Sequence, residues 1–280
     1  MSTNKTLDTL VPDIYDKLAV LNTKDKLEIS DEELDFTAAN MREAIDHWCT
    51  PQNHDTFTLR MSNIGQPTRR LWMDSRDKHS EDHSPATQLK FLYGHLLEQV
   101  VLMLCRVAGH EVTDTQKEVE IDGIKGHMDS KIDGEVVDVK TASSFAFLKF
   151  VRGTLAENDP YGYMGQLAGY EAAENTSAGG FLVLNKESGQ LCLNRPDDLD
   201  KPDIRARIAE VKAAIELDTP PEICYDPVPH GAKGNMKLAS GCTWCPHKHK
   251  CFDDLRTFRY SKGPVYFTKV VVEPNVEEML

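Results

Sequence analysis

Apolar residues recur at helical spacing between positions 86 and 108, at Leu89, Leu92, Leu96, Leu97, Val100, Val101, Leu104 and Val107, and Gly109 follows as a stop. This spacing predicts a buried helix. Residues 1–60 are more polar, with helical stretches over 13–21 and 32–48 and a loop over 50–56, and read as a peripheral N-terminal helical cap. From Val112 the period shortens to two. β-type runs cover 118–121, 126–132 and 135–141, separated by Asp122-Gly123 and Asp133-Gly134, pairs that favour two-residue hairpin turns. Helices over 145–151 and 161–173, strands over 180–184 and 191–194, and a helix over 204–217 follow. Past Thr219 the chain is rich in Pro and Cys, an irregular stretch ending in the strand-like 265–272. The expected organisation is a cap (1–60), an α/β core with a mixed sheet flanked by helices (61–218), and a Cys-rich module packed on that core (219–280).

The hairpin register carries the chemistry. A turn at Asp133-Gly134 sets Ile132 opposite Glu135, Asp129 opposite Asp138 and His127 opposite Lys140. Facing side chains have Cβ atoms about 4.5–5.5 Å apart, where two like charges repel unless a cation neutralises them. Strand alternation puts Asp138 and Lys140 on one face and Val137 and Val139 on the other. Hard oxygen donors of this kind suit Mg²⁺ or Mn²⁺. A lysine beside them can orient or help deprotonate a bound water and offset charge on a phosphate under attack. Glu98, in the otherwise apolar stretch 94–101, is a third acid that is costly to bury without a partner. The plainer alternative is that these acids form turns and reach water. The chain also holds a decoy triplet, Glu210-Val211-Lys212, inside an amphipathic helical pattern.

Composition narrows the partners. The 280 residues are 40% apolar and 28% charged with a net charge of −13, which argues against indiscriminate wrapping of a polyanion. Much of the acid excess sits near the ends, so a local basic groove survives the average. No apolar run reaches the roughly 18 residues of a membrane span, and the polar start lacks the order of a signal peptide. A cytoplasmic protein without a membrane partner is expected. Of seven cysteines, Cys242, Cys245 and Cys251 fall within ten residues, which suggests metal ligation before disulfides.

In the order Gly94…Glu98, Gly126-His127-Met128-Asp129, Asp138-Val139-Lys140 and Gln166-Leu167-Ala168-Gly169-Tyr170, the chain resembles the PD-(D/E)XK nucleases. It resembles in particular their RecB-like branch, which includes tailed-phage and CRISPR-adaptation exonucleases, and the stretch 126–151 looks closest to the phage group. The resemblance spans about residues 61–274 and implies a restriction-endonuclease-like mixed sheet. It implies that Glu98, Asp129, Asp138 and the Val139 carbonyl bind the divalent metal and that Lys140 is the catalytic lysine. Gln166 and Tyr170 would contact DNA or steady that lysine, and Arg69 and Arg70 would bind a terminal phosphate. Iron–sulfur members hold a [4Fe-4S] cluster on one upstream cysteine and a terminal C-x2-C-x5-C. Cys242, Cys245 and Cys251 match the terminal spacing, whereas residues 66–70 offer no upstream cysteine. Cys224 is then the nearest fourth ligand and Cys49 a weaker one. Structural Zn²⁺ is the alternative, favoured by the nearby nitrogen donors His247 and His249.

Basic and aromatic residues alternate from Arg256 through Phe258, Arg259, Tyr260, Lys262, Tyr266, Phe267 and Lys269. They read either as a path for single-stranded DNA or as core aromatics with outward lysines. The expected activity is a Mg²⁺- or Mn²⁺-dependent DNA exonuclease acting on linear ends or single strands, phage-encoded and working in the host cytoplasm in DNA degradation or recombination. An oligomer of identical chains would aid processivity. A restriction-type endonuclease and a non-catalytic DNA-binding module organised by its cysteines are the alternatives.

Overall fold

The computed structural model describes residues 5–23, 25–50, 57–77 and 84–279. The expected loop over 50–56 lies, apart from Thr50, outside the described residues. Helix α1 (Leu7–Ala19) starts six residues before the expected one and carries Pro12 inside it, while α2 (Asp31–Cys49) is capped by the Ser30 hydroxyl, which accepts from the Glu33 N–H. Two short helices, α3 (Met61–Ile64) and α4 (Thr68–Asp74), precede the long α5 (Pro85–Val107), which has Pro85 in its first turn and Ser84 as its cap.

The strands begin with β1 (Val112–Thr113), β2 (Lys117–Ile121), β3 (Ile124–Met128), β4 (Ser130–Ile132) and β5 (Glu135–Ala142). Helices α6 (Ser144–Val151) and α7 (Tyr163–Glu174) lead to β6 (Gly180–Asn185), β7 (Leu191–Asn194) and α8 (Ile204–Ile215). The main sheet is mixed and five-stranded, in the order β1-β4-β5-β6-β7, with β5 and β6 parallel. Helices cover both of its faces. On one, Leu10 and Ile14 of α1 and Val101, Leu102 and Cys105 of α5 pack on Val137, Val139 and Leu182. On the other, Phe147 and Phe150 of α6 and Leu167 and Tyr170 of α7 pack on Val136, Phe181 and Val183. Helix α1 is therefore part of the core, and burying Leu10 and Ile14 contributes roughly 1.5–3 kcal/mol each.

Both Asp-Gly pairs form hairpin turns. Asp133 and Gly134 have φ of 51° and 87°, and Asp122 and Gly123 have 48° and 78°, the left-handed values a type I′ turn requires. The ladder after Asp133-Gly134 runs Ile132↔Glu135, Lys131↔Val136 and Ser130↔Val137, and ends there. The run expected as one strand over 126–132 is two, broken at Asp129. His127 accordingly does not face Lys140: β3 pairs with β2 in a separate two-stranded sheet, and His127 lies opposite Glu118. The break has a cause, because the Asp129 carboxylate accepts the Val139 N–H at 2.7 Å, the donor that Met128 would face if the ladder continued.

The stretch after Thr219 is more regular than its composition suggests. Strands β8 (Val228–His230), β9 (Asn235–Lys237), β10 (Arg256–Tyr260), β11 (Gly263–Lys269) and β12 (Glu278–Met279) form a second five-stranded sheet in the order β12-β10-β11-β9-β8. Two short helices, α9 (Ser240–Thr243) and α10 (Lys248–Cys251), interrupt it. Phe258 and Phe267 are its buried centre, in edge-to-face contact, and Arg256 is paired with Glu273 and Glu278. For these residues the packing reading of the basic and aromatic strip holds. No helix among the described residues is long and apolar enough to cross a membrane.

Candidate active site

Asp138 and Lys140 point from β5 toward α7, on the face shared with Val136 and Ala142. Asp138 is 1% exposed, and neither of its oxygens has a well-aligned hydrogen-bond partner; the Lys140 ammonium, 2.6 Å from Oδ2, balances its charge. Asp129, held by the Val139 N–H, lies close enough for Asp138 to oppose its ionisation. Burial first, and then Asp138 and Glu98, push Asp129 well above the usual carboxylate range. Burial likewise raises Asp138 against the pull of Lys140. Glu98 joins from α5: burial pushes it up to about 7, Asp138 adds to this, and hydrogen bonds from Gln116 (2.9 Å) and Gln99 (3.1 Å) oppose it. One turn earlier, a Cβ at Gly94 would meet the Thr141 hydroxyl at 3.9 Å, an ordinary contact.

Lys140 is held on several sides. Burial alone would lower its pKa, but Asp138 and Asp129 outweigh that and raise it, so the amine is an ammonium. It donates to Gln166 Oε1 at 3.2 Å and lies 4.8 Å from the Tyr163 ring centroid. Gln166 in turn donates to the Tyr170 hydroxyl at 3.2 Å, and Tyr170 donates to the His127 carbonyl at 2.7 Å. The four-residue spacing of Gln166 and Tyr170 on α7 makes this relay possible. Gly126 is required beside it, since a Cβ there would lie 2.6 Å from Met61 Cβ and 2.9 Å from the Tyr170 ring. Two members have no clear mark in the sequence: Gln116, which has a left-handed φ of 54°, and Tyr163, which sits one turn before Gln166 on α7.

The other sequence candidates lie elsewhere. Glu210 of the decoy triplet accepts from Thr68 and Arg207, and Lys212 donates to the Asp122 carbonyl. Arg69 and Arg70 line a pocket with Cys224, Cys242, Cys245 and Cys251, where Arg69 Nε approaches Cys251 Sγ at 3.4 Å and its guanidinium donates to the Pro221 carbonyl. Burial and the neighbouring thiols push Cys242 up to about 12. Cys49 is exposed at the end of α2, away from this pocket. Of the two histidines, His247 is already engaged by acids of α4 and the turn after it. His247 Nε2 is 2.5 Å from Asp74 and Nδ1 is 3.6 Å from Asp77, while His249 packs edge-on against Tyr266.

As the side chains stand, no group of three or more His, Cys, Asp or Glu among the described residues is gathered closely enough to hold a metal ion. The donor chemistry of both places nevertheless fits a cation. The first offers buried carboxylate oxygens without hydrogen-bond partners, and the second offers four sulfurs around one pocket.

No protein-family model matches the chain, and no curated protein matches it in sequence. Among solved structures, the crystal structure of SSO0001 aligns at a TM-score of 0.42 and 16% identity over 77% of this chain and 96% of that one. An alkaline exonuclease (LHK-Exo) from Laribacter hongkongensis aligns at 0.36 and 16% identity over 53% and 79%. The same exonuclease in complex with dAMP aligns at 0.35 and 16% over 56% and 89%. These are distant likenesses, and the functional reading rests on the site itself.

Proposed function

We propose that this chain is a divalent-metal-dependent deoxyribonuclease of the PD-(D/E)XK kind, in its RecB-like branch, and that it degrades DNA from ends. One observation carries the reading: three acids, from α5, the break between β3 and β4, and β5, lie near enough to affect one another's ionisation beside a lysine whose ammonium a Gln–Tyr relay holds in place. A solvated turn needs no such relay, and burying three carboxylates without a countercharge is costly. Glu98, Asp129 and Asp138 would hold Mg²⁺ or Mn²⁺. The Val139 carbonyl is a reasonable fourth donor, because the N–H and C=O of a strand residue leave on the same edge and the Val139 N–H already faces Asp129.

When bound, the cation supplies Lewis-acid polarisation of the phosphate and a more acidic water. The chain's own residues do the rest. Lys140, kept charged by Asp138 and Asp129, donates to the phosphate oxygen that gains charge during attack. Gln166 limits the lysine to one orientation, and Tyr170 limits Gln166 by anchoring it to the His127 carbonyl. Helix α5, which packs on the other face of the sheet from α7, brings Glu98 near Asp138.

We also propose that Cys224, Cys242, Cys245 and Cys251 bind a [4Fe-4S] cluster, with structural Zn²⁺ as the alternative. The terminal C-x2-C-x5-C spacing supports the cluster; four thiols alone would hold either group, and His247 is already engaged with Asp74. The likeness of residues 126–151 to the phage group supports a role in DNA degradation or recombination.

The test is digestion of end-labelled linear and closed circular DNA with Mg²⁺ and then with EDTA. Loss of the linear form alone, only with metal, is expected. Cutting of circles would replace the exonuclease with an endonuclease, and binding without cleavage of either would leave a DNA-binding module. Absorbance near 400 nm in the purified protein would select iron over zinc.

A further inference from the structure

The rim of the carboxylate site carries an aromatic stack that the proposed mechanism does not use. Beyond Tyr163, whose ring lies 4.8 Å from the Lys140 ammonium, Tyr161 stacks at a centroid distance of 5.6 Å and an interplanar angle of 21°. Phe150 supports Tyr163 from a second position, at 6.3 Å and 29°. Tyr161 is 46% exposed, so the stack leads from the ammonium to solvent over no more than about 10 Å.

The segment carrying Tyr161 is fixed before any ligand arrives. Asp159 accepts from the Gly162 N–H at 2.9 Å and from the Met164 N–H at 2.8 Å, which sets the start of α7. Gly162 has φ +78° and packs so closely on Gly65 that a Cβ would lie 2.3 Å from the Gly65 carbonyl carbon. On the other side of Tyr161, Pro160 lines the thiol pocket. An aromatic ring held this way loses little conformational freedom on binding a flat partner. Phe145 and Trp244 are more exposed, at 79% and 75%, but the ring stack that reaches Lys140 is made by Tyr163, Tyr161 and Phe150.

We propose that Tyr161 receives the nucleobase next to the phosphate held at Lys140, as a substrate-positioning residue for single-stranded or frayed DNA ends. This rests on the nuclease reading. A phosphate at the ammonium tethers its own base or its neighbour's within reach of the exposed ring. Every base has a π-face, so the contact is independent of sequence. It also suits an acidic chain: at a net charge of −13, affinity from phosphate contacts is limited, and stacking adds binding that needs no positive charge.

The test uses the full chain and a single-stranded oligonucleotide with 2-aminopurine near its end. Binding is measured in EDTA and cleavage in Mg²⁺, for wild type, Tyr161→Ala, Tyr161→Trp and Asp138→Asn. Wild type and Asp138→Asn are expected to quench the 2-aminopurine fluorescence. Tyr161→Ala should lose the quenching, bind about 5- to 100-fold more weakly and raise KM more than it lowers kcat; Tyr161→Trp should restore all three. If Tyr161→Ala quenches, binds and cleaves like wild type, the stacking role falls and the nuclease stands. A Tyr161→Ala that melts earlier and loses kcat with KM unchanged, unrescued by Trp, also overturns it. If wild type does not cleave, the nuclease reading falls and the stacking role with it.

Discussion

The chain's two candidate metal places are built in opposite ways. Around the carboxylates the fold supplies the restraints: Asp129 is tied to the Val139 backbone, Glu98 to Gln116 and Gln99, and Lys140 through Gln166 and Tyr170 to the His127 carbonyl. Around the thiols it supplies few. Cys224 lies outside the regular elements, Cys242 and Cys251 sit in two four-residue helices and Cys245 between them, with the Arg69 contact to Cys251, the His247 contact to Asp74 and the Lys250 pair with Asp77 as ties to α4 and the turn that follows it. On the proposed reading, the first place is shaped before a cation binds, whereas the second would gain more of its order from a bound group.

Substitutions can break this comparison, beginning with the largest effect. Asp138→Asn should lower cleavage by about 10³-fold or more while circular dichroism and melting temperature stay at wild-type values or above. A fall in stability as large as the fall in activity would mean that the carboxylate site also holds the fold together. Replacing both Cys242 and Cys251 by Ser should abolish bound iron or zinc and make residues 219–279 protease-sensitive. Asp138→Asn should keep that metal, as elemental analysis of both proteins would show. On the side of the sheet away from the lysine, Ile14→Ala should cost about 2–5 kcal/mol in urea unfolding, since the side chain is fully buried.

A smaller effect sharpens the account of the carboxylates. Burial holds Glu98, Asp129 and Asp138 above the ordinary carboxylate range, so the folded protein keeps protons that the unfolded chain releases. In EDTA, stability should therefore decline as pH rises from about 5 to about 7, with a melting temperature change of about 5 °C, and Glu98→Gln should flatten the decline. Calorimetry across that range checks it. The smallest effect expected is from Tyr170→Phe, which removes only the hydroxyl between Gln166 and the His127 carbonyl and should slow cleavage about tenfold with a stability change near 1 kcal/mol.

Local signals were readable in the sequence where the chain itself sets the geometry. The Asp-Gly turns fix the start of the hairpin register, and the apolar spacing of 86–108 fixes α5. Where distant groups decide, the pattern fails. Asp129 breaks its strand because its side chain takes a backbone N–H ten residues away. Helix α1 begins at Leu7 because Leu7, Leu10 and Ile14 find a core formed by β5 and α5, although Pro12 reads locally as a break. The second sheet is built of short strands, and two of its four pairings join distant residues, such as Thr257↔Met279 and Phe267↔Lys237. His247 looks like a donor by its position among the cysteines, but Asp74 and Asp77, some 170 residues earlier, occupy both of its nitrogens.

The parallel pairing of β5 with β6 has a consequence for how the protein reaches its working state. Two parallel neighbours cannot be joined by a tight bend, so the chain leaves β5, runs through α6 and α7, and returns along β6. Lys140 lies on the outgoing strand and its restraint, Gln166, lies on the connection itself. Catalytic competence should then be among the last properties to emerge during refolding, lagging behind the hairpin and the bulk of the helical signal, because loop closure over this crossover must come first.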